Sequence, residues 1–428
     1  MRHGDVMKAR FRRPIWKAAL VPLAALLSAG AASAQLLPPV GGVIDSVGRL
    51  GDEVIGEAGR TAAGVERRAG RLVRDRLSRL RGYVRDRRDV LEMSEAGPVV
   101  RGRLIALDFD DRALARARGA GFGLIAEDGI GDLGVGFVTL SVPAGMPIDA
   151  AAAALEEIAP AATITANHIH FAGGSAAPLA AATSAAQAGA RVANPAIGVI
   201  DGGVAAHPAI GGVEQRGFAR GAPAASAHGT AVASLAAGRG PVNGGAPGAA
   251  LLVADIYGDD PAGGSATALA RAIGWMAGRG VPVVTISLAG PANALVERTI
   301  ARARARGIEF VAAVGNDGPA APPAYPASYA GVIAVTGVDR RNRVLAEAGR
   351  AAHLDYAAPG ADMRAASHRG GTRRVRGTSF AAPLVAGRLA ALGSRARLDA
   401  EARDLGAPGP DAVYGRGLVC GDCRNERD

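Results

Sequence analysis

The chain has 428 residues, more than the roughly 100 to 200 of one typical domain, which predicts two or three folded units. Hydrophobic residues make up 49% and charged residues 21% of the sequence, which excludes a disordered or collagen-like chain. The net charge of +10 comes almost wholly from arginine. No zinc-finger, helix-turn-helix or aromatic RNA-binding pattern accompanies it, so we predict no nucleic-acid partner.

Residues 1–34 have the three parts of a signal peptide. Basic residues between Lys8 and Arg13 precede the apolar run Ala18 to Leu27, and small residues end the segment before Gln35. The alternative, a membrane anchor, needs ~20 apolar residues and this run is much shorter. We therefore predict an exported protein, periplasmic or extracellular, and leave the export route open.

Residues 35–97 carry a basic amphipathic helical pattern. Apolar side chains recur at spacings of three and four from Val65 to Val84, and arginines surround this stripe from Arg67 to Arg88. A helix of this kind at 65–88 can contact an anionic membrane surface or pack on a partner. The alternative is a solvated helix that docks lightly on its own protein.

Residues 98–171 predict a small α+β unit. The predicted strands are Val99 to Leu107, Phe122 to Glu127, Val135 to Val142 and Ala162 to Phe171, and the predicted helices are Asp111 to Arg118 and Asp149 to Ile158. The order β-α-β-β-α-β is that of a ferredoxin-like unit. A Gly-, Ser- and Ala-containing stretch at 172–194 predicts a flexible linker.

From residue 195 to 397, short β-branched runs alternate with helical stretches. The strands are predicted at Ile197 to Ile200, Leu251 to Ile256, Val281 to Leu288, Glu309 to Val314 and Val332 to Val338, and the helices at His228 to Ala237, Ala266 to Gly278 and Ala292 to Arg306. This alternation predicts a doubly wound α/β domain with a mainly parallel sheet. Active sites of such sheets lie at the carboxyl ends of the strands. Residues 398–428 form a C-terminal tail.

Three polar residues lie in glycine-rich settings within this domain. Asp201 ends a buried apolar run, His228 begins a small-residue helix, and Ser379 precedes a second apolar helix. Alone, the aspartate is more typical of a cap or turn, and the histidine can equally be structural. Together they provide what a catalytic triad needs, because a serine hydroxyl requires an imidazole to accept its proton and a carboxylate to fix the imidazole tautomer. Their order along the chain is that of subtilisin.

Residues 195 to about 395 resemble the catalytic domain of the subtilisin-like serine proteases, the subtilases. The resemblance rests on the blocks around the three residues above and on Ala312 to Gly318, which is similar to the family's oxyanion block. It implies a serine endopeptidase with Asp201, His228 and Ser379 as its triad. It also implies that the Asn316 side chain and the Ser379 N–H stabilise the oxyanion.

The resemblance also implies which residues bind an extended peptide substrate. They are Ser287, Leu288, Ala289, Gly290, Ala313 and Gly315. Ala289 stands where glycine is usual in the family, so its methyl group is expected to leave less space for the substrate backbone. Asp317 is expected near the mouth of the first specificity pocket, where a carboxylate favours a basic residue.

Many subtilases carry a ferredoxin-like prodomain that assists folding and blocks the active site. Residues 98–171 resemble it, with Asn167 to His170 similar to its closing strand. The resemblance implies a zymogen that cuts itself just after this strand, between about Ala172 and Pro195, and acts as a monomer. The alternative class is a non-catalytic or latent binding or scaffold protein on a subtilase fold.

Cys420 and Cys423 are the only cysteines. In an exported protein this pair predicts a local disulfide. A zinc site needs about four ligands, and no other Cys or His lies nearby in the sequence. A redox site needs a βαβ context that the tail lacks. We therefore predict no cofactor and no metal site, and leave open calcium, which some subtilases bind through scattered backbone oxygens.

Overall fold

The computed structural model describes residues 55–173, 191–194 and 196–424. The predicted signal peptide and most of the predicted linker lie outside these residues. The chain divides into two compact units, Met1–Thr61 and Ala62–Asp428. The first contributes only the described residues 55–61, and all contacts below lie within the second.

The N-terminal region holds a long helix and a small antiparallel sheet. Its elements are α1 (Ile55–Arg85), β1 (Leu91–Met93), β2 (Pro98–Leu107), α2 (Asp111–Gly119), β3 (Gly123–Gly129), β4 (Gly136–Ser141), α3 (Ile148–Ile158), β5 (Thr163–His168) and β6 (Phe171–Ala172). The β-α-β-β-α-β order from β2 to β5 is the one predicted. In the sheet, β2 pairs with β1, β4 and β5, and β3 pairs with β4. Two boundaries differ from the prediction: β1 adds part of segment 35–97 to this sheet, and β6 extends into the predicted linker.

The C-terminal region is built on a parallel sheet of seven strands, of which the sequence predicts five in a mainly parallel sheet. Its strands are β7 (Ile197–Asp201), β8 (Val213–Gly217), β9 (Leu251–Asp255), β10 (Val283–Ile286), β12 (Glu309–Ala313), β13 (Ile333–Val338) and β14 (Tyr356–Pro359), in the order β14-β13-β12-β10-β7-β9-β8. Outside it lie β11 (Leu288–Ala289) and the hairpin β15 (Met363–Ala366) and β16 (Thr372–Val375). The helices are α4 (Ala227–Ala237), α5 (Ala266–Gly278), α6 (Ala294–Arg304), α7 (Ala382–Leu392) and α8 (Arg395–Glu401).

Helices cover both faces of the parallel sheet. One core contains the apolar sides of α4 and α7, and the other those of α5 and α6. The second core also takes in Ile105, Leu107, Ile130 and Phe137 from the N-terminal sheet and its loops. The small α+β unit is therefore docked on α5 and α6 through buried apolar side chains. Within the described ranges, no helix is long and apolar enough to cross a membrane.

Cys420 and Cys423 form a disulfide, with their Cα atoms 5.2 Å apart, which confirms the predicted pairing. We expect replacement of both by alanine to lower the melting temperature by less than about 4 °C, because a bridge across so short a loop removes little entropy from the unfolded chain. Thermal melting monitored by circular dichroism measures this shift. Thiol labelling is expected only after reduction, and free thiols in protein purified without reductant would contradict the assignment.

Candidate active site

An aspartate and a histidine meet at the carboxyl end of β7, an inner strand of the parallel sheet. Asp201 is the last residue of β7 and is fully buried. Its two carboxylate oxygens lie 2.9 and 2.8 Å from Nδ1 of His228. The N–H of Gly202 donates a further hydrogen bond of 2.7 Å to the carboxylate. Because the carboxylate accepts the Nδ1 proton, Nε2 of the neutral imidazole is left as a proton acceptor.

Small residues allow α4 to bring His228 close to the sheet. The Ser226 hydroxyl caps the helix by accepting a 2.9 Å hydrogen bond from the N–H of Gly229. A Cβ atom on Gly229 would lie only 2.1 Å from the carbonyl oxygen of Gly202. Glycine is therefore required at this point for the histidine-bearing turn to approach the end of β7.

Ser379 lies in a 3₁₀ turn, Thr378–Phe380, directly before α7. Its side chain is buried, and its hydroxyl makes no hydrogen bond to any of the described residues. Its backbone carbonyl accepts a 2.9 Å hydrogen bond from the Ser287 hydroxyl. The ring of Phe380 packs on His228 with the ring centroids 5.2 Å apart. These contacts fix the serine turn against both the imidazole and the neighbouring strand.

Gly173 marks the point where the predicted catalytic residues converge. A methyl group built on its Cα would lie 2.8 Å from the Ser379 hydroxyl, 3.1 Å from Asn316 Nδ2 and 3.9 Å from His228 Nε2. The structure thus brings Ser379, Asn316 and His228 around one glycine, with Asp201 on the other nitrogen of the imidazole.

Asn316 is oriented by one neighbour and donates to another. Its Oδ1 accepts hydrogen bonds from the N–H of Thr378 at 2.9 Å and from the Thr378 hydroxyl at 3.1 Å. This leaves Nδ2 directed at the carbonyl oxygen of Gly173, 2.6 Å away. An amide held in this way can stabilise negative charge on a carbonyl oxygen without reorganising. The positioning role of Thr378 is not contained in the sequence prediction.

Residues 171–173 lie along β11 as an added antiparallel strand. Phe171 pairs with Ala289 and Ala172 with Leu288. The N–H of Gly173 donates to the carbonyl of Ser287 at 3.1 Å. Main-chain pairing of this kind is how an extended peptide binds to a sheet edge. The predicted substrate strand is therefore occupied by the chain's own segment.

The preceding residue, His170, is fully buried against Gly290. A Cβ atom at Gly290 would lie 2.6 Å from the imidazole ring, so glycine makes room for it. Burial lowers the pKa of His170 to about 4, and burial has the same effect on His168. Both imidazoles are accordingly neutral at neutral pH. His168 Nδ1 lies 3.1 Å from the Asn293 side-chain amide at the start of α6.

A cavity beside Phe171 is lined by Ala289, Gly315, Asp317 and Ala324 among others. Gly315 has a φ of +80°, and a Cβ there would lie 3.4 Å from the Ala289 methyl and 3.5 Å from that of Ala324. Two methyl groups therefore border this cavity. Asp317 also lines this cavity, and Arg76 and Arg79 of α1 pair with its carboxylate. Ala313, also predicted to bind substrate, packs in the core with α4 and α7.

In the part of the chain that the structure describes, no group of three or more His, Cys, Asp or Glu side chains is arranged to hold a metal ion.

Comparison with known proteins places this arrangement in a family. Residues 193–405 match the model of the subtilase family, Peptidase_S8. Subtilisin BL from Lederbergia lenta is 32% identical over 240 residues, which covers 52% of this chain and 87% of that protein. The chain belongs to the subtilase family. Subtilisin DY from Bacillus licheniformis is 31% identical over 263 residues, 56% of this chain and 94% of that one.

The fold agrees with this membership. The structure of fervidolysin from Fervidobacterium pennivorans, described as a keratinolytic enzyme related to subtilisin, superposes with a TM-score of 0.61 at 20% identity. The superposition covers 79% of this chain and 62% of fervidolysin, so this subtilase spans less than two thirds of that protein. The family resemblance and the predicted α/β fold are confirmed, and the chain is a serine-type endopeptidase.

Proposed function

We propose that this subtilase hydrolyses peptide bonds through Ser379, His228, Asp201 and Asn316. The Ser379 Oγ attacks the substrate carbonyl carbon while His228 Nε2 takes the hydroxyl proton, and Asp201 holds the imidazole through Nδ1. The resulting oxyanion receives a hydrogen bond from Asn316 Nδ2. His228 then gives its proton to the leaving amine, and water releases the acyl group from the serine by the reverse sequence.

One observation carries this proposal. The carbonyl oxygen of Gly173 lies 2.6 Å from Asn316 Nδ2, on a strand paired with the predicted substrate strand, and beside Ser379. This is the position that the carbonyl of a scissile peptide bond would occupy.

We also propose that residues 98–173 act as an inhibitory prodomain and that the enzyme cuts its own chain between Gly173 and Gly174. The support is the position of Gly173 in the site and the docking of the α+β unit on α5 and α6. The chain downstream contains the Ala-rich stretch of small residues from Gly174 to Ala190, a composition suited to cleavage. Export through residues 1–34 is part of the same proposal and rests on the sequence pattern.

N-terminal sequencing of the wild type and of Ser379→Ala tests maturation. We expect the mature wild-type chain to start at Gly174 and the variant to keep the inhibitory unit, starting near Gln35 in the exported fraction. Ser367→Ala, a serine in the hairpin turn, serves as control and is expected to mature normally. If both proteins lose the unit, another protease removes it; if both keep it, the unit is a permanent domain.

A labelled fluorophosphonate separates the peptidase from the latent scaffold. Only a serine activated by a neighbouring base reacts with this reagent. We expect labelling of the matured wild type and of Ser367→Ala, and none of Ser379→Ala. An unlabelled wild-type chain that is cut at Gly173 only by added protease would favour the scaffold.

A further inference from the structure

Helix α1 reaches the catalytic region at the residue next to Asn316. Arg76 Nε lies 2.9 Å from one carboxylate oxygen of Asp317, and Arg79 Nη2 lies 3.2 Å from the other. The Asp317 side chain is only 16% exposed. Burial raises the pKa of Asp317 while the two guanidinium groups oppose that shift. The Asp317 carboxylate is therefore largely shielded from solvent, and its charge is balanced by the two arginines of α1.

The same helix packs on the segment that fills the cleft. Leu80 and Val84 of α1 are buried in one cluster with Ile169 and Phe171. The ring of Tyr83 meets that of Phe171 edge to face, with the centroids 5.1 Å apart. Since Phe171 pairs with Ala289 in β11, the inhibitory strand has the catalytic region on one side and α1 on the other.

A third contact lies beyond Asp317. Gly318 has a φ of +86°, and a Cβ there would lie 2.7 Å from Leu72 Cδ1. Helix α1 therefore packs directly against the backbone at Gly318, next to Asp317. Arg79 is exposed, as are Arg71 and Arg74 of the same helix, but it is Arg76 and Arg79 that pair with Asp317. The pairing with Asp317 is consequently a feature of two positions on the helix and not of its basic character as a whole.

We propose that α1 is a second inhibitory element, distinct from the α+β unit. Helix α1 holds residues 169–173 against β11 and covers the cavity that Asp317 lines. This inference rests on the proposed function. Cutting after Gly173 alone leaves the strand bound, because α1 still contacts both the strand and the catalytic region. Activity therefore requires α1 to leave Asp317 as well.

The test uses the full-length chain and two separate readouts. Mass spectrometry follows cutting at Gly173, and hydrolysis of a fluorogenic peptide follows the appearance of activity. The interval between the two is the lag that α1 imposes. Arg76→Ala with Arg79→Ala is compared with the matched pair Arg71→Ala with Arg74→Ala, which removes the same charge from exposed positions on the same helix. Asp317→Asn removes the charge on the other partner of the ion pair. Each variant's activity is divided by its own final rate before the lags are compared.

We expect the Arg76/Arg79 variant and Asp317→Asn to shorten the lag roughly tenfold, since charge-assisted hydrogen bonds contribute to holding the helix. The Arg71/Arg74 variant should keep the wild-type lag. Equal lags in all four proteins would overturn the role of α1, and so would an equal shortening by both arginine pairs. Failure of the proposed function would look different, because neither cutting nor fluorophosphonate labelling would then occur.

Discussion

Replacement of Ser379 by alanine is expected to lower turnover by roughly 10⁶-fold, the size of loss known for the serine of subtilisin. The Ser379 hydroxyl is buried yet bonds to none of the described residues, so its removal leaves no partner unsatisfied. The contacts that place the turn come instead from the Ser379 carbonyl and the Phe380 ring. The loss should therefore be one of chemistry, with the fold retained.

The measurement must separate lost chemistry from a blocked cleft, since Ser379→Ala should also keep its inhibitory unit. Trace amounts of tagged wild-type enzyme can cut the variant at Gly173 and are then removed by the tag. The variant is assayed after its mass shows a chain starting at Gly174. Ser367→Ala, treated in the same way, should turn over at the wild-type rate. Turnover by the processed variant above the level of residual wild type would remove Ser379 from the mechanism.

Much of the parallel sheet could be predicted because its central strands are short buried runs of β-branched residues. The run ending at Asp201 and the run Glu309 to Ala313 were located to within a residue. The prediction lacks both edge strands: β8, Val-Glu-Gln-Arg-Gly, has no apolar run, and β14, Tyr-Ala-Ala-Pro, has no β-branched residue. The hairpin β15–β16 was missed for a related reason, since arginines fill much of it. At an edge, pairing to a neighbour decides the strand more than composition does.

The candidate site likewise has residues that the local sequence predicts and contacts that it does not. Asp201, His228, Asn316 and Ser379 can be predicted as site residues from local sequence blocks, because each lies in a glycine-rich block at the end of an element, and the structure brings them close together. The partners of Asp317 were not found, because Arg76 lies 241 residues away along the chain. An arginine in a basic amphipathic helix carries no local sign of which carboxylate it will meet. Of the alternatives for this helix, the structure shows it docked on its own protein.

Asn316→Ala is expected to lower kcat by about 10² to 10³, with KM little changed. The Asn316 amide donates to the carbonyl oxygen where negative charge would develop, so its bond should strengthen as the tetrahedral intermediate forms. An interaction made mainly in the transition state affects kcat and not ground-state binding. Self-cutting at Gly173 should slow by a similar factor, since the same carbonyl is the proposed point of attack.

Asn316→Asp is the matched variant, because Asn316 also accepts hydrogen bonds from Thr378. An aspartate keeps an acceptor for Thr378 but places a carboxylate oxygen where Nδ2 donates. If Asn316 acts by donation, both variants lose kcat, and aspartate loses at least as much because its charge opposes that of the oxyanion. If Asn316 only supports the Thr378 turn, aspartate should preserve activity and alanine should not. Steady-state kinetics on one fluorogenic peptide decide the question, and a raised KM at unaltered kcat in Asn316→Ala would contradict oxyanion stabilisation.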